Sequence, residues 1–111
     1  MDKGEIGLFE LPFQGGNEQA GMRPALIISV NNIQSHKMLS VVPFTSQLNA
    51  ISFPDTFIVK PSIRNGLTSD SVALIFQLRA ISSARLKKKL GNLEQTSLTQ
   101  IENIIKTMLG L

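Results

Sequence analysis

Two apolar runs decide the fold: Ala25-Leu26-Ile27-Ile28 and Leu39-Ser40-Val41-Val42. Neighbouring side chains of a strand point to opposite faces, so runs of consecutive branched residues fit strands that are covered on both faces. Both runs are therefore predicted to be central strands. Other short apolar runs, separated by turn residues, favour several strands over a helical bundle. The predicted strands cover residues 5–11, 25–30, 39–44, 56–60, 71–75 and 77–81.

The last sixteen residues change from a strand period to a helix period. Their apolar side chains fall on one stripe, which predicts an amphipathic helix. Capping-box pairs allow it to start at Ser97 or at Thr99, and Gly110 is predicted to end it. The stripe consists of Leu98, Ile101, Ile104, Ile105, Met108 and Leu109.

Two further local patterns complete the predicted architecture. A shorter helix is predicted from residue 82 or 83 to Gly91, and Asn65-Gly66 is predicted to be a hairpin turn that closes Ile58 against the segment after Leu67. The fold is then mainly β, of the α+β kind. It is a small twisted antiparallel sheet or open barrel with a C-terminal amphipathic helix packed across it.

Length and composition limit the possible functions. The chain has 111 residues, 42% of them hydrophobic, which suits one domain over residues 1–111 with one core. No apolar run approaches the ~18 residues of a membrane span, so we expect no association with a membrane. The first residues lack the pattern of a signal peptide, so we expect the protein in the cytoplasm. With no cysteine and one histidine, thiolate and multi-histidine metal sites are excluded, and we expect no metal or cofactor. The net charge of +3 permits a polyanionic partner.

The longest irregular segment runs from Pro12 to Met22, and loops of that length are often functional. It leads into Arg23-Pro24, where proline fixes the backbone just before a buried strand. Arg23 is therefore predicted at a rigid strand start, where an arginine suits bidentate recognition of a phosphate. A surface salt bridge is the alternative, and the residues alone leave it open.

Three polar residues, Thr45-Ser46-Gln47, directly follow another buried strand. The hydroxyl groups of Thr45 and Ser46 can bond a phosphate oxygen or can simply cap a turn. From the residues alone, capping is the commoner role.

Five motifs follow one another through the chain: GEI (4–6), EQAGMRPAL (18–26), VPFTSQ (42–47), GLTSDSVA (66–73) and QLRAI (77–81). In order and spacing they resemble the motifs of the MazF/PemK (Kid) toxin family. The resemblance covers essentially the whole chain, and the E-Q-x-G-x-R-P block is its most specific part.

The resemblance implies an SH3-like fold of the CcdB/PemK type and a sequence-specific endoribonuclease that works as a homodimer. Its substrate would be single-stranded RNA, such as mRNA, and an antitoxin of the MazE/PemI type would neutralise it. In the implied chemistry the 2′-OH of the RNA attacks the adjacent phosphorus without a metal. The products carry 2′,3′-cyclic phosphate and 5′-OH ends.

By the same resemblance, Arg23 and Thr45 match the two catalytic positions. Arg23 would stabilise charge on the phosphate, and Thr45 would hydrogen-bond a non-bridging oxygen. Substrate contacts are implied for a larger set of polar residues, with structural roles open for several of them. That set consists of Asn17, Glu18, Gln19, Ser46, Gln47, Gln77 and Arg79.

Three departures from the family pattern bear on activity. Asn17 stands where some members have histidine, Phe76 where some have an acidic residue, and Gly7 where many have tryptophan. Since the chain has no tryptophan or tyrosine, base stacking would come from phenylalanine or arginine. Two alternatives stay open. The implied fold is shared with CcdB toxins, so the protein could be a gyrase inhibitor. The departures from the family pattern leave open a catalytically inactive member that binds RNA or antitoxin.

Overall fold

The computed structural model describes residues 1–12 and 21–111. Within these ranges the chain forms seven strands, three single turns of 3₁₀ helix and one α-helix. The strands are β1 Glu5–Leu11, β2 Gly21–Ile33, β3 His36–Thr45, β4 Thr56–Val59, β5 Ser71–Leu74, β6 Arg79–Ser82 and β7 Leu86–Asn92. The 3₁₀ turns are Leu48–Ser52, Ile75–Gln77 and Ser83–Arg85, and the α-helix α1 is Gln95–Leu109.

All paired strands are antiparallel, in the order β4-β5-β3-β2-β1-β7. One edge of β3 pairs with β2, and its other edge is shared by β6 and β5. Between these two strands the chain leaves the sheet through the 3₁₀ turn Ile75–Gln77. The predicted fold class, a mainly β twisted antiparallel sheet with a C-terminal helix, is confirmed.

The two runs that decide the fold lie in β2 and β3 at the centre of the sheet, as predicted. On one face, Leu26 and Val42 pack in a core that includes α1 residues such as Ile101. On the other face, Ile27 and Val41 belong to a second buried cluster. Both faces of the central strands are therefore covered, which explains why their apolar residues do not alternate with polar ones.

The predicted short helix over residues 82–91 is wrong. Only Ser83–Arg85 makes a helical turn, and Leu86–Asn92 is strand β7, paired with β1. Leucine and lysine favour helices intrinsically, but strand pairing overrides a local preference of that size. The lysines of β7 lie on the last strand of the sheet, where charged side chains discourage pairing with another chain.

Two other local predictions need correction. The helix α1 begins at Gln95, with Glu94 as its N-cap residue, so neither Ser97 nor Thr99 starts it; Gly110 ends it in the left-handed conformation, as predicted. The strand pairing that includes Ile58 is present, because β4 pairs with β5. Residues 60–70 nevertheless form a long connection, so the turn at residues 62–66 is not the predicted hairpin turn, and Gly66 alone of the Asn65-Gly66 pair has positive φ.

The strand bounds also differ from those predicted. β2 begins at Gly21, opposite Leu11 of β1, so Met22 belongs to a strand and not to the irregular segment. β6 begins at Arg79, because the 3₁₀ turn takes up the preceding residues. The helices of the described ranges are too short or too polar to cross a lipid bilayer.

Candidate functional site

Arg23 and Thr45 line one cavity of about 320 Å³. They lie on neighbouring antiparallel strands, and the β2–β3 register pairs Ala25 with Pro43. Arg23 and Thr45 lie two residues beyond this last pair, at the same end of β2 and β3. The sheet therefore brings together the two residues that the sequence predicted to act as a pair.

The two side chains differ in their surroundings. Arg23 is exposed on β2, whereas Thr45 is buried at the end of β3. The Thr45 Oγ1 accepts a hydrogen bond from the backbone N–H of Gln47 at 3.2 Å. Thr45 thus caps the turn after β3, which was the commoner of its two possible roles. A hydroxyl that accepts one bond keeps its own proton, so Thr45 can still donate to an anion.

The segment 66–69 forms another wall of this cavity, and its Gly66 and Leu67 are less exposed than Thr68 and Ser69. Ser71 also lines the cavity, and its hydroxyl donates to the carbonyl of Ser69 at 3.0 Å. Sequence reasoning did not assign this wall to the site. The motif GLTSDSVA (66–73) was the signal that could have found it.

A second cavity, of about 560 Å³, shares Thr45 with the first. Gln47 and Gln77, two predicted substrate contacts, line it. So do Phe53 and Phe76, whose ring centroids lie 5.9 Å apart in an edge-to-face arrangement. The described residues that line this cavity include no charged side chain.

Phe76 reaches the second cavity because the chain leaves the sheet between β5 and β6. The backbone N–H groups of Ile75 and Phe76 both donate to the carbonyl of Asp55, at 3.0 and 3.2 Å, which fixes this turn. Asp55 itself has positive φ. Sequence reasoning missed Phe53, since its contact with Phe76 depends on two irregular segments that no local pattern predicts.

The remaining predicted contacts lie elsewhere. Ser46 lines the first cavity and is exposed. Arg79 lies on β6 and lines neither cavity; its Nη2 donates to the carbonyl of Pro12 at 2.9 Å, at the start of the β1–β2 connection. Asn17, Glu18 and Gln19 lie outside the described residues.

Two sequence comparisons with known proteins indicate the same family. The family described as PemK-like, MazF-like toxin of type II toxin-antitoxin system matches residues 2–109. Endoribonuclease MazF of Staphylococcus saprophyticus subsp. saprophyticus is 31% identical over 112 residues, which cover 100% of this chain and 92% of that protein.

Solved structures are similar over the full length of the chain. The crystal structure of MazF (Form-I) from Deinococcus radiodurans has a TM-score of 0.81 at 23% identity, covering 100% of this chain and 97% of that one. The crystal structure of MazE-MazF (Form-II) from the same organism has a TM-score of 0.72 at 25% identity, covering 100% and 96%. The similarity therefore includes the strands that carry both cavities.

Proposed function

The chain belongs to the PemK-like, MazF-like toxins of type II toxin-antitoxin systems, and on that premise we propose that it is a sequence-specific endoribonuclease that cleaves single-stranded RNA without a metal ion. One observation carries the proposal: Arg23 and Thr45 line the same cavity. A protein that inhibits gyrase by binding it has no need of a phosphate-binding arginine beside a hydroxyl donor.

In the proposed reaction the RNA supplies its own nucleophile. The 2′ oxygen forms a bond to the adjacent phosphorus and gives up its proton, while the bond from phosphorus to the 5′ oxygen breaks and that oxygen gains a proton. The products are a 2′,3′-cyclic phosphate and a 5′-OH. DNA lacks the 2′-OH and cannot follow this route.

Arg23 and Thr45 act on the charge that develops at phosphorus. The planar guanidinium of Arg23 can donate two hydrogen bonds to the phosphate oxygens, and the Thr45 hydroxyl can donate to a further oxygen. Arginine stays protonated far above neutral pH, so its role here is electrostatic and not that of a general base. Removal of one such donor typically slows an enzyme by about 10²–10³-fold.

The second cavity suits the base of a nucleotide next to the reacting phosphate, because Thr45 belongs to both cavities. The amides of Gln47 and Gln77 can each donate to and accept from a base edge. The rings of Phe53 and Phe76 offer the apolar contact that a base face requires. An uncharged cavity of this kind would contribute to sequence preference.

Two partners follow from the same premise. An antitoxin is proposed because the related Deinococcus radiodurans protein has been crystallised as MazE-MazF, and a net charge of +3 favours an acidic antitoxin segment that covers the two cavities. A homodimer is also proposed, with the cytoplasm, where mRNA is found, as the place of action. Sedimentation should give a mass about twice the 12.1 kDa of one chain; a monomer at high concentration would contradict the dimer.

The proposal is tested by incubating the purified protein in EDTA with a long mixed-sequence RNA and with DNA of the same sequence. Discrete cuts are expected in the RNA alone, and Arg23→Ala should slow them by about 10²–10³-fold. Arg85→Ala is the matched control, since Arg85 pairs with Glu10 and lines neither cavity. An RNA that stays intact at every protein concentration would contradict the proposed endoribonuclease activity.

A further inference from the structure

The connection from β4 to the wall of the first cavity is built around one buried amide. The Asn65 side chain is fully buried and makes four hydrogen bonds. Its Oδ1 accepts from the backbone N–H of Ser62 and of Leu67, each at 3.0 Å. Its Nδ2 donates to the carbonyl of Lys60 at 2.9 Å and to Glu94 Oε1 at 3.1 Å. A buried polar group satisfied on every side rigidifies its surroundings.

Glu94 and Ser62 close this arrangement into a network. Glu94 Oε2 accepts a hydrogen bond from Ser62 Oγ at 2.6 Å, and Ser62 Oγ in turn accepts from the backbone N–H of Asn65 at 3.0 Å. Glu94 is the N-cap residue of α1, yet its side chain makes no capping bond to that helix. Its carboxylate instead bonds the connection 60–67. We refer to Ser62, Asn65 and Glu94 as the Asn65 network.

The same connection lies directly against β7. The backbone N–H of Asn92 donates to the carbonyl of Arg64 at 2.8 Å. Gly66 has a φ of +72°, and a Cβ there would lie 2.1 Å from the carbonyl oxygen of Leu90. A Cβ at Gly91 would lie 2.3 Å from the carbonyl oxygen of Arg64. Two backbone segments thus touch with no room for side chains, so the connection has one position relative to β7.

This connection leads directly to the first cavity, because residues 66–69, which follow Asn65, line it together with Arg23 and Thr45. We propose that Glu94 is a positioning residue, which acts through Ser62 and Asn65 to hold the wall 66–69 at its distance from Arg23 and Thr45. The kinetic part of this proposal rests on the proposed function. The structural part does not.

If the wall 66–69 shifts, the position of the RNA phosphate relative to its hydrogen-bond donors, Arg23 and Thr45, changes as well. Catalytic groups must be held to within about 0.5 Å of their productive geometry, and a misplacement of about 1 Å can cost about 10²-fold in rate. Loss of the Asn65 network should therefore lower kcat in protein that is still folded. A purely structural role would lower the stability and leave kcat unchanged.

The test compares Glu94→Ala, Ser62→Ala and Glu94→Gln with wild type. For each variant we would measure kcat and KM on a cleavable RNA and the backbone amide NMR shifts of residues 66–69 and of Thr45. Glu94→Ala and Ser62→Ala should lower kcat by about tenfold or more and move these amide signals. Glu94→Gln should retain most of the activity, since a carboxamide can accept from Asn65 and donate to Ser62 Oγ.

Glu102→Gln is the matched control, since Glu102 is a carboxylate of α1 that pairs with Lys3, away from the network. It should leave kcat and the wall signals unchanged. A folded Glu94→Ala variant with wild-type kcat would overturn the proposal, as would unshifted amides at residues 66–69. If wild type cleaves no RNA, the proposed function fails, but the amide shifts still decide whether Glu94 positions the wall. If Glu94→Ala does not fold, Ser62→Ala decides.

Discussion

At the residue scale, the two catalytic candidates are held in different ways. Arg23 is exposed on β2, so its replacement removes no side chain from the core. Thr45 is buried and also holds the backbone of Gln47. Substitution of Thr45 therefore removes a structural contact and a candidate catalytic donor together, and the two effects need separate variants.

Thr45→Val should lower both the stability and the rate. The variant keeps the shape of the side chain but leaves the Gln47 N–H without its acceptor, a loss of about 1 kcal/mol in the free energy of unfolding. Cleavage should slow by about 10²–10³-fold, because the donor to the phosphate is gone. Thr45→Ser keeps the hydroxyl and should lose little of either. Urea unfolding measures the loss of stability, and single-turnover cleavage measures the loss of rate. A Thr45→Val variant that cleaves at the wild-type rate would show that Thr45 has no part in cleavage.

Phe76→Ala should weaken RNA binding more than it slows cleavage of bound RNA. Stacking of a base on an aromatic ring is typically worth about 1–3 kcal/mol, and Phe76 is 43% exposed to solvent. Affinity for an RNA with 2′-O-methyl groups, which cannot be cleaved, measures this directly. Phe76→Tyr is the control that keeps the ring. Unchanged affinity of Phe76→Ala would mean that no base stacks there.

At the element scale, the connection between β4 and β5 does more than join two strands. It packs backbone to backbone on β7 and carries a wall of the first cavity. Its place depends on a glycine with positive φ and on the Asn65 network. Changes here should therefore affect the site without touching Arg23 or Thr45.

Gly66→Ala should destabilise the protein far more than Gly110→Ala. Both glycines have positive φ, but a Cβ at Gly66 meets the backbone of Leu90 at 2.1 Å, whereas nothing lies within 4 Å of a Cβ at Gly110. The unfavourable φ alone costs about 1–2 kcal/mol, so the difference between the variants isolates the steric clash. Thermal unfolding measures both. Equal losses would show that β7 moves aside at no cost.

The stability that depends on Glu94 should be lost in acid. Hydrogen bonding from Ser62 lowers the pKa of Glu94 below 4.5; burial opposes this, and Asn65 and the charge of Arg64 add to it. A folded-state pKa that is lowered contributes stability above the unfolded-state pKa and loses it as pH falls through the folded-state value. The difference in unfolding free energy between wild type and Glu94→Gln should thus be constant near neutral pH and shrink below 4.5. A difference that grows in acid would contradict this assignment.

Much of the sheet could be predicted from single residues and their neighbours, because the central strands have apolar runs that only a doubly covered strand can bury. β7 could not, since its leucines and lysines suit a helix and only pairing with β1 makes them a strand. The start of α1 was missed because the side chain of Glu94 bonds the connection 60–67 instead of its own helix.

The candidate site was likewise predicted only in part from the sequence. Arg23 and Thr45 stood in recognisable motifs, and the structure places both in the lining of one cavity. Phe53 and Asn65 were not predicted as parts of the site, since their positions depend on contacts between segments distant in sequence. Tertiary contacts of this kind leave no local signal, so sequence reasoning can name the catalytic pair but not what holds it.

At the scale of the whole molecule, the two cavities form one surface with Thr45 at their boundary. The first offers a cation and hydroxyl groups, and the second offers uncharged amides and aromatic rings. A phosphate suits the first and a base suits the second, so the surface as a whole suits a nucleotide of single-stranded RNA. An antitoxin that covers this surface should compete with RNA.

We propose that this surface cleaves RNA through the nucleophile of the RNA itself, its 2′-OH. The most direct test uses a short RNA that contains one mapped cut site, with a single 2′-deoxyribose on the 5′ side of the reacting phosphate, assayed in EDTA. We expect the all-ribose RNA to be cut to a 2′,3′-cyclic phosphate and a 5′-OH, while the singly substituted RNA binds and stays intact. Cleavage of the substituted RNA at the same bond would show that the 2′-OH is not the nucleophile.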